Sequence, residues 1–167
     1  MAQLSDDCFA FGGELMTADE ALALLTERLD IVVEPEITGL RSALGRILST
    51  DVVADRSVPP HDNAAVDGYA VSFDDLDRNV ETRLPVFARV AAGQALNRVV
   101  AKGEAIRIFT GAPMPDGMDT VLMQEDCHRE SNVVVIPPGI KRGANRRHAG
   151  EDIEVGSVIL RAGLRLR

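Results

Sequence analysis

Residues 59–71 read Pro59-Pro60-His61-Asp62-Asn63-Ala64-Ala65-Val66-Asp67-Gly68-Tyr69-Ala70-Val71, and how this stretch is read decides how the rest of the chain is read. Two prolines stiffen its start, and the alternation Tyr69-Ala70-Val71 predicts a strand at its end. Between them stand two carboxylates, an amide and a glycine, among side chains too small to build a core. Small residues let a large ligand approach the backbone, and Asp62, Asn63 and Asp67 offer it oxygens. A polar loop mounted on a rigid strand is a common place for binding and catalysis.

Two readings of Asp67 stand side by side. In one, Asp67-Gly68 is a turn that Asp62-Asn63 caps. In the other, Asp62 and Asp67 share a site in which one carboxylate stays ionised and the other is raised in pKa, which suits proton transfer or cation binding.

Working outward, short β-branched runs recur between Gly and Pro punctuation at Asp51–Ala54, Gly68–Ser72, Pro85–Val90, Ala105–Phe109, Thr120–Met123, Val133–Ile136 and Val158–Leu160. That rhythm predicts an all-β barrel or sandwich-like unit rather than alternating strands and helices. Ala92-Gly93, Pro115-Asp116-Gly117, Ser131-Asn132 and Pro138-Gly139 supply turns. Upstream, Thr17-Ala18-Asp19-Glu20 reads as a capping box opening a helix that ends near Asp30, with Leu22, Leu25 and Leu29 as its apolar stripe. That stripe is packing or a dimer seam. A helical turn at Leu40–Leu44 stops at Gly45, and residues 1–15 read as a polar, loose lead-in.

With 167 residues, 46% apolar and 26% charged, the chain has enough apolar surface for one ordinary domain or two small ones. Aromatic content is 4% with no Trp, so the core rests on Val, Ile, Leu and Ala. A net charge of −8 opposes a general nucleic-acid or membrane-surface role. Cys8 and Cys127 lie far apart with no partner at metal-ligand spacing, so neither a disulfide framework nor a zinc site is expected. Without a signal-peptide pattern or a long apolar run, the expected location is the cytoplasm.

Three more segments carry candidate chemistry. In Thr110-Gly111-Ala112-Pro113, a hydroxyl and successive backbone N–H groups near a glycine form either an ordinary turn or a concave anion site. Lys141 to His148 is the dense basic run, either solvated surface or a patch that focuses a phosphate-bearing ligand. Gly150-Glu151-Asp152 places paired acids just after it, which balance the arginines or serve a site. His61 and His128 are isolated and take no role. The last strand, Val158 onward, runs to Arg167 without terminal punctuation, so a longer protein is expected.

The order of these motifs resembles the molybdopterin molybdenumtransferases, the MoeA and gephyrin E-domain family. The likeness runs from Ala43-Leu44-Gly45-Arg46-Ile47-Leu48 and Asp51-Val52-Val53-Ala54, through residues 59–71 and Arg107 to Pro115, to Gly150-Glu151-Asp152. It implies a mainly β fold with a few helices, of bifurcated and coiled β-sheets in two small modules. One module, residues 16–54 with 148–167, is elongated, discontinuous and dimerising; residues 55–147 form a β-barrel-like module. A C-terminal α/β molybdopterin-binding domain and a small β domain are expected beyond this chain.

The resemblance also implies an activity, the insertion of molybdenum from molybdate into adenylylated molybdopterin by a homodimer helped by Mg2+. Asp67, Asp152 and Thr110 fall on catalytic positions, and Asp62, Asn63, Gly111, Ala112, Arg147 and Glu151 on substrate-binding ones. No metal ligand is assigned within the chain. Arg146 stands where an aliphatic residue is common, and His148-Ala149 replaces arginine-rich residues. Two other readings remain: a non-catalytic scaffold of gephyrin type, and a small-ligand-binding β module. A sugar-binding surface is opposed by the lack of Trp and the single Tyr.

Overall fold

Thr17 starts the first described element, its side chain accepting from the Glu20 amide while Glu20 reaches back to the Thr17 amide. This reciprocal cap satisfies donors that the first helical turn leaves open. The computed structural model describes residues 16–167, so the polar lead-in and Cys8 lie outside the described residues. Helix α1 runs Ala18–Arg28 and buries none of its residues. A 3-10 turn at Leu40–Ser42 follows, and Gly45 has φ +79° as its stop position requires. The chain divides into two units, Met1–Leu44 and Gly45–Arg167. In the first, Leu22, Leu25 and Leu29 are exposed, as are Ile31, Val32, Val33, Ile37 and Leu40.

The second unit holds ten strands: β1 (Val52–Val53), β2 (Asn63–Ala64), β3 (Gly68–Val71), β4 (Thr82–Val90), β5 (Ala105–Ile108), β6 (Thr120–Met123), β7 (His128–Glu130), β8 (Val133–Ile136), β9 (Arg146–Arg147) and β10 (Val158–Leu160). All seven predicted runs carry a strand, although β4 begins at Thr82 rather than Pro85. The other three, β2, β7 and β9, are short and polar, so no apolar alternation marks them. β1 and β10 pair antiparallel, and bridges Ile47–Arg165 and Val58–Ile153 extend the ribbon on either side. The final strand is therefore a paired one.

Six strands make the main sheet in the order β6-β3-β5-β4-β8-β7. Its neighbours are antiparallel except β4 and β5, which run parallel. Successive side chains face opposite sides of a sheet, and here both sides are covered. Ala70, Ile106, Ile108, Val90 and Val121 pack on one face. Tyr69, Val71, Leu84, Val86, Leu122, Val134 and Ile136 pack on the other. Thr120 is the buried polar side chain among the described residues, and it bonds Asp119 and the Gly143 amide.

Gly68 opens β3 and is not a turn residue. A Cβ there would stand 1.7 Å from the Leu122 carbonyl oxygen, so glycine permits the close approach of β3 and β6. The turn reading of Asp67-Gly68 is thereby corrected. No helix among the described residues is long and apolar enough to cross a membrane.

Candidate functional site

The loop between Pro59 and Asp67 is threaded between two other segments. On one side, the Ala64 amide donates to Ala112 O, the Gly111 amide to Ala64 O and the Met114 amide to Asp62 O, at 2.8–3.0 Å. On the other, β2 pairs with β9, matching Asn63 to Arg147 and Ala64 to Arg146. The Ala65 amide donates to Asn145 O, and the Gly150 and Asp152 amides donate to Pro59 O and Val58 O. Three motifs far apart in sequence thus share one backbone network.

At its downstream end the loop is clasped to Thr110. Asp67 Oδ1 accepts from the Thr110 amide at 2.8 Å and from its hydroxyl at 2.7 Å. These bonds, the backbone one foremost, hold the Asp67 carboxyl below the usual carboxylate range, and the Arg107 charge adds to them. At its upstream end Asp62 Oδ1 accepts from the Ala149 amide at 2.7 Å, while Oδ2 accepts from Arg146 Nε at 2.8 Å and from Arg146 Nη2. His148 Nδ1 lies 3.7 Å from the same oxygen. The Ala149 bond, then Arg146 and the nearby His148, lower the Asp62 pKa. Both carboxylates are therefore held ionised, each by its own donors, and the expected split into a raised and a lowered pKa is corrected.

Two further expectations change. The amides of Thr110, Gly111 and Ala112 are not a free anion cradle, because Asp67, Ala64 O and Phe109 O occupy them. Ala112 belongs to the core, while Gly111 is exposed with φ +77°, a backbone that favours glycine. Nor is the basic run an open positive patch. Arg142 pairs with Asp74 and Asp119, Arg146 with Asp62, and Arg147 with Asp152 at 2.6 Å and Glu151 at 3.6 Å. Each arginine meets acids brought in by the fold, so the charges largely cancel.

The expected residues therefore fall into two groups joined by β2 and β9: Asp67 with Thr110, and Asp62 with Arg147, Glu151 and Asp152. Asn63 sits at the junction and its side chain makes no hydrogen bond among the described residues, so its amide is available. Arg107 and Phe109 beside the clasp carried no sequence-based assignment; their alternation within β5 and just past its end was the available signal. Arg146 was noticed only as a departure.

Comparison with known proteins bears on this arrangement. The family described as MoeA N-terminal region (domain I and II) matches residues 16–167. This chain belongs to that family. A molybdopterin molybdenumtransferase from Haemophilus influenzae is 34% identical over 153 residues, covering 91% of this chain and 37% of that protein. One from a Nostoc species is 40% identical over 145 residues, covering 85% and 33%. The crystal structure of the molybdopterin biosynthesis moeA protein from Pyrococcus horikoshii OT3 superposes with TM-score 0.80 at 36% identity, over 92% of this chain and 41% of that one. The MoeA-type, mainly β fold is thus shown, and the chain spans about a third of the length of these curated relatives.

Proposed function

We propose that this chain is the N-terminal part of a molybdopterin molybdenumtransferase acting in molybdenum cofactor biosynthesis, with molybdate and adenylylated molybdopterin as substrates. The observation that carries the reading is the Asp67–Thr110 clasp: two expected catalytic positions, 43 residues apart, meet in one pair of hydrogen bonds. Asp67 Oδ2 takes none of the described hydrogen bonds and is left to face a ligand. A carboxylate held below its ordinary pKa is a weak base at neutral pH, so Asp67 orients a donor or stabilises positive charge rather than abstracting a proton. Asn63 supplies a second polar group, its side chain making no hydrogen bond among the described residues. Asp152 and Arg147 hold each other as an ion pair at the edge of the loop, which sets the position of both side chains.

Magnesium does not fit the residues of this chain. Among the described residues no three His, Cys, Asp or Glu side chains converge as a metal site, and Asp62 is engaged by Arg146 and Ala149. No step is therefore routed through a cation here; the resemblance implies that its ligands lie mostly outside this chain. Dimerisation through residues 16–54 and 148–167, as the resemblance implies, is supported by the exposed stripe Leu22, Leu25 and Leu29. That stripe equally favours the scaffold reading.

Molybdenum transfer to adenylylated molybdopterin, assayed with the whole protein and its Asp67→Asn variant, tests the proposal. Loss of transfer with an unchanged fold is expected, and unchanged turnover would return Asp67 to a structural role. Residues 1–167 alone are expected to transfer no molybdenum, because a ligand held between domains loses orientation as well as contacts when one is missing.

A further inference from the structure

The face of the main sheet beside the Asp67–Thr110 clasp ends in two arginines. β4 and β5 run parallel, and Arg89 is the direct register partner of Arg107. A register shift between Val86 and Ala88 sets this pairing. On the next strand, Tyr69 is the partner of Arg107. The guanidinium of Arg89 lies 4.4 Å from the Phe109 ring centre and that of Arg107 lies 4.6 Å from it. Arg107 also stacks near Tyr69 at 5.2 Å, donates to Gly68 O at 2.9 Å and donates to Gln124 Oε1.

All the acceptors of Arg107 are thus neutral. Arg89 has a ring contact, and neither arginine forms an ion pair among the described residues. Like charges directly opposite each other on a sheet repel, and a chain of net charge −8 has many carboxylates with which to quench them. Arg83, Arg142, Arg146 and Arg147 are all quenched in this way. Arg89 and Arg107 stand side by side in register without such an acid, and rule-breaking of this kind concentrates at functional sites. Asp67 and Glu125 feel the charge of Arg107 from a distance without bonding it.

We infer that Arg89 and Arg107 form the docking site for a tetrahedral oxyanion group of a ligand seated at the Asp67–Thr110 clasp. The Phe109 ring holds the Arg89 guanidinium by cation–π stacking, which limits its rotamers and leaves its N–H fork in plane to bond two oxygens. Arg107 is fixed by Gly68 O and Gln124, so it contributes charge and a partly used fork. The inference rests on the proposed function for its ligand class. That class is a phosphate monoester or an oxyanion such as molybdate, which share this chemistry.

The test uses the chain itself and follows the arginine Nε–H signals by NMR during titration with inorganic phosphate, AMP and sodium molybdate, against sodium chloride at matched ionic strength. Selective shifts of the Arg89 and Arg107 signals are expected, with AMP or molybdate as the tighter ligand identifying the source of the anion. Arg89→Gln should weaken that binding about tenfold, while Arg89→Lys, which keeps the charge, should lose less. Signals that move no further than in chloride, or an Arg89→Gln protein that titrates like the parent, would overturn the inference. Unchanged transfer by Asp67→Asn would remove the proposed function yet leave this titration as it is.

Discussion

Arg146 closes on Asp62 across 84 residues of chain, its Nε 2.8 Å from Oδ2 and its Nη2 on the same oxygen. Both side chains are about three-quarters covered, at 26% and 27% exposure. Arg146 is therefore the residue that pins β9 to the loop, and both oxygens of Asp62 accept hydrogen bonds from the protein.

Replacing Arg146 by valine should cost about 1 kcal/mol, a partly screened charge-assisted pair with the Ala149 bond to Asp62 left in place. Urea unfolding of Arg146→Val, Asp62→Asn and the double variant measures the coupling. Additive effects would show that the pair contributes nothing.

Gly68→Ala should be severe. The new Cβ would meet the Leu122 carbonyl at 1.7 Å, backbone against backbone, so β3 and β6 must part. A loss of about 3 kcal/mol or more is expected, with low soluble yield. A variant that unfolds within about 1 kcal/mol of the parent would mean that the two strands are not packed so closely.

Asp67→Asn keeps an oxygen able to accept both Thr110 bonds, so the fold should stay intact and the melting temperature fall only by what the lost charge contributed. Transfer by the whole protein should fall about a hundredfold, the scale of losing one oriented electrostatic contact. A large drop in melting temperature together with turnover would make the residue structural.

Stability should fall on the acid side. Asp62, Asp67 and Asp119 all have folded pKa values below their unfolded ones, so the folded state binds protons less readily than the unfolded chain. Their contribution is complete above the unfolded value of about 3.9 and disappears as pH drops through the lower folded values. Melting curves from pH 7 to 2 should therefore stay flat to about pH 5 and then decline, and Asp62→Asn with Asp67→Asn should flatten the decline. A decline of the same slope in that double variant would place the titration elsewhere.

Leu22→Glu with Leu25→Glu should convert a dimer into a monomer without altering the β-sheet signal, since neither side chain is buried in the chain itself. Sedimentation of the parent as a monomer at high concentration would end the dimer proposal.

Local pattern alone determined the elements. The Thr17–Glu20 box placed α1, β-branched runs between Gly and Pro punctuation placed seven of the strands, and glycines marked turns such as Gly93 and Gly117. The loop of residues 59–71 and Thr110 were likewise legible as a place where chemistry sits, because small and polar residues interrupt apolar runs there. Pairing was not legible. Which acid quenches Arg142 and Arg146, which acceptors occupy the Thr110–Ala112 amides, and which strands stand side by side all depend on contacts between distant residues. Gly68 shows the difference in one position: in sequence it is turn-like, but its neighbour in space, the Leu122 carbonyl, makes it a strand residue. Arg89 shows it in another, since only the register shift in β4 sets it beside Arg107. Periodicity reports which way a side chain faces, and register, fixed by packing of the whole sheet, decides what it meets.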